Sequence, residues 1–143
     1  MRKINVLICD DQPEIVRETE ELLLRYEEQY GRAMRILGVT DYEEAKDFAA
    51  DLLFLDIEMQ ELNGFELAAK IQETAPDILI IFVSAYESYV YKSFEFRPFR
   101  FIPKQQMESM ITQALEAAFR EIVSRISEVY IAENQQGIEK IPF

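Results

Sequence analysis

The sequence predicts an α/β fold: a five-stranded parallel sheet, doubly wound, with the βα unit repeated five times. Two observations carry this expectation. The runs Ile4 to Cys9, Leu52 to Leu55 and Ile78 to Val83 are nearly continuous in apolar residues. Strands buried on both faces of a parallel sheet read this way, whereas a half-exposed strand alternates. The segments between the runs carry helical spacing instead, so strand and helix alternate along the chain. With 143 residues the chain is long enough for one domain with a substantial core.

Each element follows in order. After the first strand, Pro13 suits the first turn of a helix, and Ile15, Thr19, Leu22, Leu23, Tyr26 and Tyr30 share one face before Gly31 ends it. Ile36 to Val39 is a weaker second strand. Thr40 with Glu43 forms a capping-box pattern ahead of Tyr42, Ala45, Phe48 and Ala49, which predicts a second helix. Gly64 leads into "FELAAKIQET", a third helix stopped by Pro76. A fourth, aromatic-rich helix follows the fourth strand, and Phe101-Ile102 marks the fifth strand. The longest helix comes last, with Met107, Met110, Ile111, Ala114, Leu115, Ala118 and Ile122 on one stripe. Right-handed crossovers between parallel strands then place helices on both faces of the sheet.

Residues 128–143 break the alternation. "EVYIAE", "NQQG" and "IEKIPF" read as two short strands around a turn. An isolated hairpin is marginal in water, so these residues are expected to begin a second domain; the alternative is an edge hairpin packed on the main sheet.

Composition narrows the chemistry. The chain has no histidine, which excludes Ser-His-Asp catalysis, histidine bases and imidazole metal sites. The single cysteine, Cys9, excludes an internal disulfide and is expected to be a small buried hydrophobe. A net charge of −12 disfavours contact with nucleic acid by this chain. No apolar run approaches the roughly 20 residues of a membrane span. A soluble, cytoplasmic protein without a membrane partner is expected.

Ligands of an open parallel α/β sheet bind beyond the carboxyl ends of its strands. The predicted ends are Asp10-Asp11 on the first strand, Asp56 on the third, Ser84 on the fourth and Lys104 on the fifth. Singly, the acids read as helix caps or strand-end carboxylates, Ser84 as a turn former and Lys104 as a surface lysine. Their convergence on one edge of one sheet favours a site. Three close carboxylates repel one another unless a cation neutralises them, and an all-oxygen site open to water suits Mg2+. Lysine adds a point charge for a phosphate and serine a hydroxyl donor. Aspartate attacks phosphorus to give an acyl phosphate, and Asp56 is the expected nucleophile because its strand has a partner on each side.

With these residues assembled, "CDDQ", "LDIEMQELNGFE", "VSAY" and "FIPK" resemble the motifs of a receiver domain of a two-component response regulator, over residues 3 to about 123. The resemblance implies a flavodoxin-like fold and a phosphoryl group taken by Asp56 from a phosphohistidine on a sensor histidine kinase. It implies that Asp11, Asp56 and the Glu58 backbone carbonyl hold Mg2+, with Asp10 assisting. Ser84 would close on the phosphoryl oxygen, Lys104 would pair with it, Ala85 would keep the site open and Phe101 would be the aromatic switch. The "ICDD" start, the aromatic fourth helix and the tail resemble the LytTR subfamily. This implies a receiver over residues 1–127, with residues 128–143 as a linker and the first strands of a LytTR-type DNA-binding domain. DNA contact would belong to that further domain, since the chain up to residue 127 is still acidic.

Three positions depart from the family pattern: Gln60 and Gln105 stand where proline is usual, and Phe101 stands where tyrosine is commoner. Of the 7 Tyr and 10 Phe, Tyr86, Tyr89, Tyr91, Phe94, Phe96, Phe99 and Phe101 fall within residues 86–101. Some are expected to pack on the sheet and the rest to form a contact patch, where the resemblance implies homodimerisation on phosphorylation. Two other classes remain. An Mg2+-dependent aspartyl-phosphate phosphatase would place a second catalytic acid where Glu58 stands and would carry a substrate-capping insert. An interaction module that never takes phosphate would not need the acid pair, Asp56 and Lys104.

Overall fold

Burial on both faces, read from the near-continuous runs, is what organises the sheet. The computed structural model describes residues 3–59 and 63–138, with side chains through residue 128. Strands β1 (Ile4–Cys9), β2 (Met34–Val39), β3 (Leu52–Asp56), β4 (Leu79–Ser84) and β5 (Arg100–Pro103) are parallel, in the order β2-β1-β3-β4-β5. Successive side chains on a strand point to opposite faces, and the core divides accordingly. Ile4, Val6, Ile8, Leu52, Phe54, Ile81, Val83 and Ile102 face one layer of helices, while Leu7, Cys9, Leu53, Leu55, Ile80 and Phe82 face the other.

The first layer is α1 (Pro13–Tyr30) and α4 (Met107–Ile138). Pro13 opens α1, and Gly31 closes it in the left-handed region at φ 64°. Val16, Thr19, Leu23 and Tyr26 form its buried stripe; Tyr30, expected on that face, is 45% exposed. Tyr26 donates to the Glu116 carboxylate at 2.6 Å, tying α1 to α4. The second layer is α2 (Gly64–Thr74), capped by the Asn63 side chain, which accepts from Glu66 N at 3.0 Å.

Two expected helices are not helices of any length. The segment after β2 makes a single 3-10 turn, Tyr42–Ala45, capped by Asp41 rather than Thr40. The chain beyond it is held by β1 instead: Asn5 Nδ2 donates to Ala49 O at 2.8 Å, and Asn5 N donates to the Asp51 carboxylate at 2.8 Å. Between β4 and β5, a 3-10 turn (Glu87–Tyr89), the four-residue α3 (Val90–Ser93) and a second 3-10 turn (Phe94–Phe96) replace one helix. Aromatic and β-branched residues are poor helix formers, and Arg97 in the left-handed region at φ 48° ends the segment ahead of Pro98.

The third difference is at the C-terminal end. The expected strand and turn over residues 128–138 are helical, because α4 continues unbroken to Ile138. No glycine or proline interrupts the sequence between Met107 and Gln136, and extending an existing helix is far easier than starting one. At 1.5 Å per residue, its 32 residues run about 48 Å. The expected second strand falls almost wholly on residues 139–143, outside the described residues, as does Gln60.

Strand register sets the site. Asp56 lies opposite Val83, and Ser84 lies opposite Pro103, so Asp56, Ser84 and Lys104 emerge at one edge of the sheet. Gly64 fixes how the chain leaves β3: a Cβ there would lie 2.3 Å from Asp56 O. Gly64→Ala is expected to destabilise the protein by roughly 1–3 kcal/mol, because backbone rather than a flexible side chain must yield. Urea midpoints compared with an exposed control such as Lys46→Ala test this.

Candidate functional site

The carboxyl ends of β1, β3, β4 and β5 deliver the polar groups. Asp10 follows β1; its Oδ1 accepts from Gln12 N at 2.9 Å and its Oδ2 meets Lys104 Nζ at 3.2 Å. Asp56 ends β3, buried at 1% exposure, and its Oδ1 lies 3.2 Å from the same Nζ. Lys104 reaches both through a 3-10 turn, Lys104–Gln106, and no peptide bond among the described residues is cis, as expected where glutamine rather than proline follows the lysine. Lys104, expected at this strand-end site, is clamped between two buried acids. Oxygens of Asp10, Asp11 and Asp56 all lie within 4.8 Å of one another, and Asp56 Oδ2 is buried without a hydrogen-bond partner among the described residues. An orphaned carboxylate oxygen among three acids is the arrangement a hard cation satisfies, so the cluster is able to bind a metal.

Among the described residues the charge in the crevice is out of balance, three acids against one lysine. Burial pushes the Asp56 carboxyl up, and Asp10 and the Glu58 contact push it further; against them stands Lys104, leaving it at about 8. Asp10 is also raised, first by burial, against the Gln12 N–H bond and Lys104. Burial alone would lower Lys104, but Asp56 and Asp10 outweigh it and hold the amine above its ordinary value. Without a cation, the cheapest way to relieve the acids is to keep a proton on them.

Ser84 is wholly buried; its Oγ accepts from Tyr86 N at 3.0 Å and donates to Glu58 Oε1. The sequence assigned Glu58 a role through its backbone alone and missed this side-chain contact. Ala85 N also donates to Glu58 Oε1, at 3.2 Å. An acid two residues beyond Asp56 was the available signal, but nothing in the spacing says which way its carboxylate turns. Phe101 packs half-buried on the α2 side of the sheet. Cys9 is buried as expected, its thiol pushed up to about 12, first by burial, and it touches Met59 through sulfur at 4.0 Å.

Comparison with known proteins now decides the family. The model of the response regulator receiver domain matches residues 6–116. The chain belongs to the response regulator receiver domain family. Curated relatives of this receiver domain include the sensory transduction protein LytT of Enterococcus faecalis, 34% identical over 140 residues, covering 97% of this chain and 57% of that protein. LytR of Streptococcus agalactiae is 29% identical over 142 residues, covering 96% and 55%. The transcriptional regulatory protein BtsR of Escherichia coli is 30% identical over 145 residues, covering 97% and 57%. These relatives bear out the LytTR-type resemblance, and the chain spans about half their length. Among solved structures, DrrB, a Thermotoga maritima OmpR/PhoB homolog, aligns with TM-score 0.66 at 18% identity, covering 81% of this chain and 54% of that one. The signal receiver domain of an HD domain-containing protein from Pseudomonas fluorescens aligns with TM-score 0.74 at 19% identity, covering 86% and 99%. These likenesses show the flavodoxin-like fold. No helix among the described residues is long and apolar enough to cross a membrane.

The raised Asp56 carboxyl has a consequence for stability. Between its ordinary 3.8 and about 8 the folded chain binds more protons at this group than the unfolded chain does. Its contribution to stability therefore falls as pH rises through that window. In chelator, urea midpoints of wild type should drop between pH 5.5 and 8 more steeply than those of Asp56→Asn. Equal slopes would contradict the assignment.

Proposed function

We propose that this receiver domain accepts a phosphoryl group on Asp56 from a phosphohistidine of a sensor histidine kinase, in an Mg2+-dependent reaction. The observation that carries the reading is Lys104 Nζ, held 3.2 Å from both Asp10 Oδ2 and Asp56 Oδ1, beside the orphaned Asp56 Oδ2. Asp10, Asp11, Asp56 and the Glu58 backbone carbonyl would hold the cation. Mg2+ would supply the positive charge that keeps Asp56 ionised and offsets charge on the transferred group.

The remaining work falls to the chain itself. An Asp56 oxygen attacks phosphorus as the bond to the histidine nitrogen of the partner breaks, and the product is an acyl phosphate. Lys104 shifts from the carboxylates to a phosphoryl oxygen, a move its flexible stem permits. Ser84 donates its hydroxyl to a second oxygen, and the ring of Phe101 follows as the switch. Signalling, and not turnover of a substrate, is the output.

Phosphorylation is proposed to drive homodimerisation through the aromatic segment and β5, and so to control transcription through an attached LytTR-type DNA-binding domain beginning in residues 128–143. Supporting this, the aromatics of the segment divide in two. Tyr89, Phe96, Phe99 and Phe101 pack on the core, while Tyr86, Tyr91 and Phe94 are 59%, 84% and 63% exposed. A cytoplasmic location agrees with the single buried thiol and with a kinase partner of this kind.

Incubation with acetyl phosphate and Mg2+ is expected to add the mass of one phosphoryl group to wild type and nothing to Asp56→Asn. No gain, or the same gain in both, would overturn the reading. Sedimentation of the phosphorylated protein should report a dimer that Tyr91→Ala with Phe94→Ala weakens by tenfold or more, roughly the loss of two partly buried aromatic contacts.

A further inference from the structure

Ser84 Oγ and the Ala85 N–H point into the crevice beside Asp56, and both donate to one oxygen, Glu58 Oε1. The second oxygen, Glu58 Oε2, is buried with no hydrogen-bond donor among the described residues, and the side chain also meets the Asp56 carboxyl. Glu58 N in turn donates to Asp56 Oδ1 at 3.3 Å, which holds the Glu58 backbone against the phosphoacceptor two residues before it. A hydroxyl and a backbone amide aimed at one oxygen form a small oxyanion subsite. Its present occupant is a carboxylate of the chain itself.

Glu58 is poorly placed if this is its only setting. Among the described residues it adds a fourth acid to a crevice that already holds Asp10, Asp11 and Asp56 against Lys104. It also leaves one oxygen desolvated and unsatisfied, which costs free energy that an exposed glutamate would avoid. What holds it there is the pair of donors, and those donors are what an oxyanion on Asp56 would require.

We propose that the Glu58 carboxylate is an internal occupant of the Ser84–Ala85 oxyanion subsite, which a phosphoryl group on Asp56 must displace. The proposal rests on Asp56 being the phosphoacceptor and goes beyond it by giving the Glu58 side chain a competitive role. Ser84 has one hydroxyl proton and Ala85 one N–H, so a carboxylate and a phosphoryl oxygen cannot both receive them. Rotation about the Glu58 side-chain torsions releases the donors without moving β3 or β4. The side chain therefore holds the unphosphorylated state in place, slows entry of the phosphoryl group and returns once that group is lost.

The test compares wild type, Glu58→Gln and Glu58→Ala with acetyl phosphate and Mg2+, reading the rate of mass gain. In parallel, the Ala85 amide resonance of each unphosphorylated protein is recorded, with the rest of the spectrum reporting the fold. Glu58→Ala should phosphorylate roughly fivefold faster or more, the scale of one lost competing hydrogen bond, and its Ala85 amide should move. Glu58→Gln, which keeps an acceptor oxygen but not the charge, should fall between. A Glu58→Ala rate equal to or below wild type, or an Ala85 amide that does not move, overturns the proposal. A Gln variant as fast as Ala also overturns it, because charge alone would then explain the effect. Failure of every protein, wild type included, to gain mass would instead overturn the Asp56 reading, and the Ala85 amide would still decide whether Glu58 fills the subsite.

Discussion

The bridge from Lys104 to Asp10 and Asp56 is the constraint on which the rest of the structure depends. It joins β1, β3 and β5 at a single nitrogen. Asp56 and Lys104 sit two strands apart in the sheet order, and strands are spaced by about 4.8 Å, so the lysine must reach across the end of β4. Only a long, flexible side chain does that, and only a small residue on the intervening strand leaves room for it. Lys104 and Ser84 meet those two requirements. Buried ion pairs of this kind add little net stability, because desolvation offsets attraction. Their presence at the strand ends is better explained by chemistry than by folding.

The same edge is coupled to the aromatic segment through packing. Gly64 lies directly against the Asp56 carbonyl, and the next residue, Phe65, stacks on Phe96 with centroids 4.9 Å apart and meets Phe82 edge-on at 5.1 Å. Gln72 Nε2 donates to Phe96 O at 2.6 Å, fixing α2 to the end of that segment. Tyr89 also leans on Phe65 at 5.8 Å, while Tyr86 shares its backbone with the Ser84 hydrogen bond. A close-packed chain of rings passes a displacement on more readily than it absorbs it. A change at Asp56 or Ser84 therefore has a physical route through Phe65 and Tyr89 to Tyr86 at the surface.

Most of this was legible in the sequence, for reasons particular residues make plain. Nearly continuous apolar runs located β1, β3 and β4 because burial on both faces leaves few polar positions to blur them. Pro13 and Gly31 bounded α1 because each has one strong backbone preference. Strand ends then brought Asp10, Asp11, Asp56, Ser84 and Lys104 together without any knowledge of side-chain direction. The expected second helix failed where Asn5, distant in sequence, captured Ala49 and Asp51, an interaction no local window contains. The expected fourth helix failed on propensity, and the expected hairpin failed because an amphipathic α4 had no residue to stop it before Gly137. Glu58 was missed for a different reason: spacing fixes where a side chain starts, and hydrogen-bond donors decide where it ends.

The central claim is that buried acids at this edge are neutralised by a proton or by a cation, and that Asp56 is where the exchange is felt. Calorimetric titration of the chain with Mg2+ in two buffers of different ionisation enthalpy measures the protons released per cation bound. At pH 7, below the raised Asp56 value of about 8, wild type should bind one Mg2+ and release close to one proton, while Asp56→Asn should release far less. Binding without proton release, or equal release from both proteins, would contradict the account.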